Sequence, residues 1–223
     1  MHNFKTKEEH AAYYQKIART QWFAKNEVHV SEYEHGLNAS SITVVDFCQP
    51  NTNAYAVRYI FASLYLYVSG DLGCAVFNCT WRTRPTDRNW HSLWYISEKL
   101  AAREGDDWDY DPTVCRNTIQ QILLEPDARG RHSVFPDQWS KAQKELFHAL
   151  MQEAKEATST AGWALALDTL NNEAVGASLS DLDGDYWEWC CDAGQVLPPR
   201  IIGIITGLQM IQEELAKEAP KEQ

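Results

Sequence analysis

Residues 55–81 read YAVRYIFASLYLYVSGDLGCAVFNCTW. Tyr55, Val57, Tyr59 and Phe61 alternate with Ala56, Arg58 and Ile60. Leu64, Leu66 and Val68 then alternate with Tyr65 and Tyr67. Aromatic and β-branched residues at period two form a pleated surface. Ser69-Gly70-Asp71-Leu72-Gly73 interrupts them. Glycine accepts positive φ without a steric penalty, and aspartate can bond nearby backbone, so this is a turn. Cys74 to Phe77 resume the strand, which ends near Trp81. Both faces are largely apolar, which predicts a sheet covered on at least part of both sides.

Outward from this hairpin, Ser41 to Phe47 and the less regular Glu27 to Tyr33 are further strand candidates. Glu8 to Ala24 has helical composition. Trp90 to Arg103 places Trp90, Leu93, Trp94, Ser97, Leu100 and Ala101 at helical spacing. Asp111-Pro112 is a helix start, with aspartate as cap and proline in the first turn. Pro136-Asp137 opens another helix, and Gly162 to Thr169 is expected to be a late strand. After Pro198-Pro199 an apolar helix runs to about Lys217, interrupted by Gly203, Thr206, Gly207 and Gln209; the glycines allow close packing. Strands early and helices late predict an α+β fold: one domain over 1–223, an antiparallel sheet built on 55–81 and covered by several helices.

The chain has 223 residues, 44% of them hydrophobic, with nine Trp and a formal net charge of −11. That composition excludes a disordered chain. The charge disfavours direct binding to nucleic-acid phosphates and suits docking on a basic partner. No stretch is long and apolar enough to span a membrane. The polar start, Met1 to Lys7, lacks a signal-peptide pattern, so a cytosolic location is expected. The six cysteines, Cys48, Cys74, Cys79, Cys115, Cys190 and Cys191, are then expected to be reduced, buried thiols.

Three clusters are candidates for chemistry. Asp181, Asp183 and Asp185 occupy positions one, three and five of a calcium-loop pattern, with Asp192 at position twelve. Hard oxygen ligands at that spacing suit calcium. Tyr186 stands where the loop requires glycine, and the terminal carboxylate is not glutamate; a solvated acidic turn is the alternative. Asp106, Asp107, Trp108, Asp109 and Tyr110 alternate acids with aromatics, as a surface imitating nucleic-acid charge would. Helix capping by Asp111 with solvated neighbours is the plainer account. Arg82, Arg84 and Arg88, interleaved with Trp81 and Trp90, would grip a phosphate or an acidic partner, or balance the acidic surface as a solvated loop. Cys-x-x-Cys, helical His pairs, phosphate-cradling glycine loops and nucleophile elbows are absent from the sequence.

Leu66-Tyr67-Val68-Ser69-Gly70-Asp71-Leu72-Gly73, with Phe77 beyond it, resembles the strand–turn–strand signature of a widespread group of phage and prophage proteins. Tyr95-Ile96-Ser97-Glu98-Lys99-Leu100 is similar to a Tyr-x-x-Glu-Lys-Leu run in that group. Trp189-Cys190-Cys191 before the helix at Ile201 to Ile211 resembles its C-terminal segment. The chain departs from the group at Ser63-Leu64, where Pro-Gly is usual. No activity is assigned to the group, so the resemblance carries over no catalytic residue. It implies a protein made in a bacterial cytoplasm by a phage or prophage. The leading expectation is an accessory protein that binds a host protein, such as a basic nucleic-acid-handling defence component, in the manner of anti-CRISPR or anti-restriction proteins. Asp106 to Tyr110 and the three arginines are the expected contacts. The alternatives are a metal-dependent enzyme using Asp181 to Asp192, and a protein that sequesters a small signalling nucleotide. The last requires the Arg82 to Arg88 loop to face a pocket.

Overall fold

The computed structural model describes residues 4–35, 40–103, 108–125, 136–173 and 176–218. The fold is α+β, and the chain gathers into two compact units. Residues 11–107 with 198–223 form a sheet unit, and residues 1–10 with 108–197 a helical unit.

The sheet unit holds six antiparallel strands in chain order: β1 (Glu27–His35), β2 (Ser40–Cys48), β3 (Val57–Ala62), β4 (Tyr65–Gly70), β5 (Ala75–Asn78) and β6 (Leu100–Arg103). Three turn features explain the central meander. Ser63 takes φ +56° between β3 and β4. Gly70 has φ +147°, and a Cβ there would overlap the Ala56 carbonyl oxygen. Asp71 accepts from the Tyr55 amide at 2.9 Å, so it ties the turn to the start of β3 rather than to its own backbone.

Among the described residues the fully buried side chains of β3, β4 and β5 lie on one face of this sheet. Val57, Tyr59, Phe61, Leu66, Val68, Ala75 and Phe77 are enclosed, whereas Tyr65 and Tyr67 stay exposed. The expected double-sided cover is therefore corrected: tyrosine keeps a polar tip for water, so an aromatic-rich outer face need not be covered. The terminal helix of the chain, α8 (Pro199–Glu218), packs on the inner face, and the Tyr59 hydroxyl donates to the Ile204 carbonyl at 2.8 Å. From Ile201 to Ile211 nearly every α8 residue is buried. The glycines permit this: a Cβ at Gly203 would sit 2.7 Å from the Trp22 ring. Trp22 ends a π-helical turn, Ala18–Trp22, that continues α1 (Lys7–Ile17).

The expected helix over Trp90 to Arg103 divides into three pieces. Arg88–His91 form a 3-10 turn, α2 (Leu93–Ser97) is short, and Leu100–Arg103 become strand β6. Pairing with β5 prevails over helical spacing, because it satisfies the free backbone edge of the sheet.

In the helical unit, β7 (Asp109–Tyr110) leads into α3 (Pro112–Leu124). Asp111 accepts from the amides of Thr113 and Val114 at 2.8 and 3.0 Å, the expected cap. Helix α4 (Lys141–Glu156) starts at a Ser140–Gln143 capping box, and Pro136–Gln138 form only a 3-10 turn before it. The expected strand at Gly162 to Thr169 lies within helix α5 (Thr160–Glu173). Its apolar run is helical because Trp163 and Leu167, four apart, share the buried face while Leu165 is 68% exposed. Short helices α6 (Leu179–Leu182) and α7 (Tyr186–Trp189) and strand β8 (Gln195–Val196) complete the unit. Its core includes Cys115, Ile119, Leu150, Trp163 and Leu182.

Candidate functional site

The segment joining β5 to α2 carries the three arginines, and buried chemistry on both sides immobilises its backbone. Thr83 is 4% exposed; its amide donates to the Ser63 carbonyl at 2.7 Å, and its hydroxyl to the Tyr65 carbonyl at 3.0 Å. Asp87 closes the turn by accepting from the Arg84 amide at 2.7 Å and from Trp81 Nε1 at 3.1 Å. Trp90, fully buried, donates through Nε1 to the Arg84 carbonyl at 2.7 Å. Trp81 also stacks on Tyr95, with ring centroids 5.9 Å apart.

The remaining tethers come from α8. Gln209 Nε2 donates to the carbonyls of Trp90 and His91 at 3.1 and 3.0 Å. Gln212 Nε2 donates to those of Asp87 and Thr86 at 2.8 and 3.3 Å. Both glutamines are buried on a helix face that is otherwise apolar but for Thr206, whose hydroxyl donates to the Ile202 carbonyl. Buried amides need partners, and here the partners are carbonyls more than a hundred residues earlier in the chain. The sequence signal for this anchor was the pair of polar residues on the buried face of α8; only Gln209 stands out as an interruption of the apolar run.

This pinned loop forms one wall of a groove of about 580 Å³. Arg82, Thr83, Arg84, Pro85 and Thr86 contribute from the loop, Val30 and Glu32 from β1, Ser41 and Thr43 from β2, and Leu215 from α8. Arg82 reaches across to β2, donating to Ser41 Oγ at 3.2 Å. Among the described residues the Arg84 guanidinium makes no hydrogen bond or ion pair. Arg88 is exposed on the 3-10 turn and does not line the groove. The size suits a small-molecule ligand, and two guanidiniums beside four hydroxyl side chains suit an oxyanion. Screening over roughly 8 Å at physiological ionic strength weakens the pull of charges farther off than that, and Glu32 is the acidic residue that lines the groove beside the two arginines.

The other sequence candidates are placed differently. Asp106 and Asp107 lie outside the described residues. Trp108 is partly buried and Asp109 exposed. Tyr110 has a structural task, its hydroxyl donating to the Ala154 carbonyl at 2.7 Å. Asp181 accepts from the amide and hydroxyl of Ser178 at 2.6 and 2.8 Å, which holds its carboxyl below the usual range. Asp183 is buried and accepts from Trp189 Nε1 at 2.8 Å. Asp185 is exposed. Among the described residues no three His, Cys, Asp or Glu side chains gather as a metal site.

All six cysteines are free, but Cys74 and Cys191 are exposed, which corrects the expectation that every thiol is buried. Cys74 sits just outside β5, and Cys191 follows α7 at the surface. Burial pushes the Cys115 and Cys190 thiols up to about 12. No described helix is long and apolar enough to cross a membrane. Comparison with protein-family models, curated proteins and solved structures yields no match.

Proposed function

We propose that the chain is a binding protein that holds a small phosphate-bearing ligand, of the signalling-nucleotide class, in the Arg82–Arg84 groove and sequesters it unchanged. One observation carries this reading: a loop fixed by Thr83, Asp87, Trp90, Gln209 and Gln212 presents both arginines to a cavity of about 580 Å³. A loop backbone held in place before the ligand arrives loses little backbone entropy on binding. Guanidinium presents its donors in a fork that matches phosphate oxygens. Isothermal titration calorimetry with adenosine and guanosine mono- and diphosphates and with cyclic dinucleotides tests the proposal. Arg84→Ala is expected to weaken binding about tenfold to a hundredfold, the value of a charge-assisted hydrogen bond. Absence of heat with every probe, or unchanged affinity in Arg84→Ala, would refute it.

A second reading, docking of a phage or prophage accessory protein on a basic host defence component, draws support from the net charge of −11 and from Trp187, which is 64% exposed. Aromatic residues of that kind often anchor interfaces. Here Trp187→Ala would abolish salt-sensitive capture of a host protein and the gene's effect on phage plating. Unchanged plating in its absence would remove this reading.

A further inference from the structure

We infer that Glu32 sets the specificity of the groove, selecting ligands that carry hydroxyl or amino donors beside their phosphate and rejecting bare polyphosphate. This inference rests on the anion-binding reading above. Arginine can only donate hydrogen bonds, and an ionised carboxylate can only accept them. Arg82 and Arg84 stand on the loop wall, whereas Glu32 stands on edge strand β1.

The β1–β2 register places Glu32 opposite Thr43, two residues along β2 from Ser41, the residue that receives Arg82. The charge of the groove therefore changes sign between Arg84, on the loop wall, and Glu32, on β1, with Arg82 reaching across to Ser41 on β2. Among the described residues Glu32 forms no ion pair with either arginine. Its acceptor capacity thus remains for whatever enters. A ligand matched to both walls has oxyanion acceptors at one end and donors at the other. A nucleoside phosphate meets that description: its phosphates meet Arg82 and Arg84, and its ribose hydroxyls or base amino group meet Glu32. Val30 and Leu215 give the sugar and base apolar contact. Inorganic pyrophosphate also suits the arginines, but it brings no comparable donor and faces a like charge at Glu32.

The two ligand types therefore respond to loss of the carboxylate in opposite directions. Titrations of the full chain with ADP, GDP and inorganic pyrophosphate are compared for wild type and Glu32→Ala, with Glu32→Gln as an isosteric variant. Glu32 is exposed, so an unchanged melting temperature is expected and checks folding. In Glu32→Ala, affinity for the tighter-binding nucleoside diphosphate should fall about tenfold, and affinity for pyrophosphate should rise severalfold. Glu32→Gln should also tighten pyrophosphate, because it removes the charge while keeping the shape. Parallel changes for both ligand types, or no change for either, would overturn the assignment of Glu32 while leaving the groove as an anion site. Failure of the wild type to bind both nucleotides and pyrophosphate would overturn the anion-binding reading itself, and the role of Glu32 with it.

Discussion

Gly207→Ala is the most demanding test of how α8 seats on the sheet. A Cβ at position 207 would overlap the Tyr59 hydroxyl oxygen and lie 3.3 Å from Phe23 Cε2. Tyr59 is fully buried and donates to the Ile204 carbonyl at 2.8 Å, so its hydroxyl has no open space to enter. Overpacking should cost about 2 kcal/mol. Displacing a buried hydroxyl from its partner should add about 2 kcal/mol. Replacing glycine by alanine inside a helix returns about 1 kcal/mol. The net loss is then about 3 kcal/mol, which lowers a urea midpoint by roughly 1.5 M for a slope near 2 kcal/mol per M. Tyr59→Phe alone removes one hydrogen bond and should cost about 1 kcal/mol. The double variant removes the clashing oxygen as well, so the lost hydrogen bond and the gained helix propensity nearly cancel and it should lie within about 1 kcal/mol of wild type rather than lose the additive 4 kcal/mol. Equilibrium urea unfolding followed by tryptophan fluorescence measures all four proteins. Additive losses, within about 0.5 kcal/mol, would mean that the hydroxyl does not set the helix–sheet distance.

Gln212→Leu should speed hydrogen exchange at the Arg84, Asp87 and Trp90 amides and weaken nucleotide binding, though Gln212 itself does not line the groove; unchanged exchange would show that the loop holds itself. A thiol reagent at pH 8 should modify Cys74 and Cys191 quickly, and Cys79, Cys115 and Cys190 only after denaturation. Mass mapping checks which sites react. Burial lowers the His10 pKa against the opposing pull of Asp111 and Asp109. Protonation therefore favours the unfolded chain, and this contribution is present above the ordinary histidine value of 6.5 and is lost as pH falls below it. His10→Gln should flatten the stability profile between about pH 7 and pH 5.5, as read from urea midpoints; an unchanged slope would remove His10 as the cause.

Local chemistry alone was enough for several elements. Alternation at Val57 to Phe61 and at Tyr65 to Val68 marked strands because side chains on a strand repeat every two residues. Asp111-Pro112 marked a helix start because cap and first-turn geometry are set within four residues. The apolar run after Pro199 marked a buried helix. The candidate site was half legible: the arginine cluster was visible, and so was its condition for function, that the loop face a pocket. The acidic turns drew attention through composition, but Asp181 and Asp183 are occupied by local hydrogen bonds.

Other features depended on residues far apart in the chain. Leu100 to Arg103 are a strand because β5 offers an unpaired edge, which helical spacing does not record. Trp163 to Leu167 are helical because one side of that run meets a core and the other meets water. The arginine loop faces a groove because Gln209 and Gln212 hold carbonyls more than a hundred residues away, and Glu32 joins it from the other end of the sheet. Period and capping operate over a few residues, so a sequence states them directly. Pairing edges and buried amides find partners only when the chain has folded, so the architecture of the groove belongs to the tertiary structure.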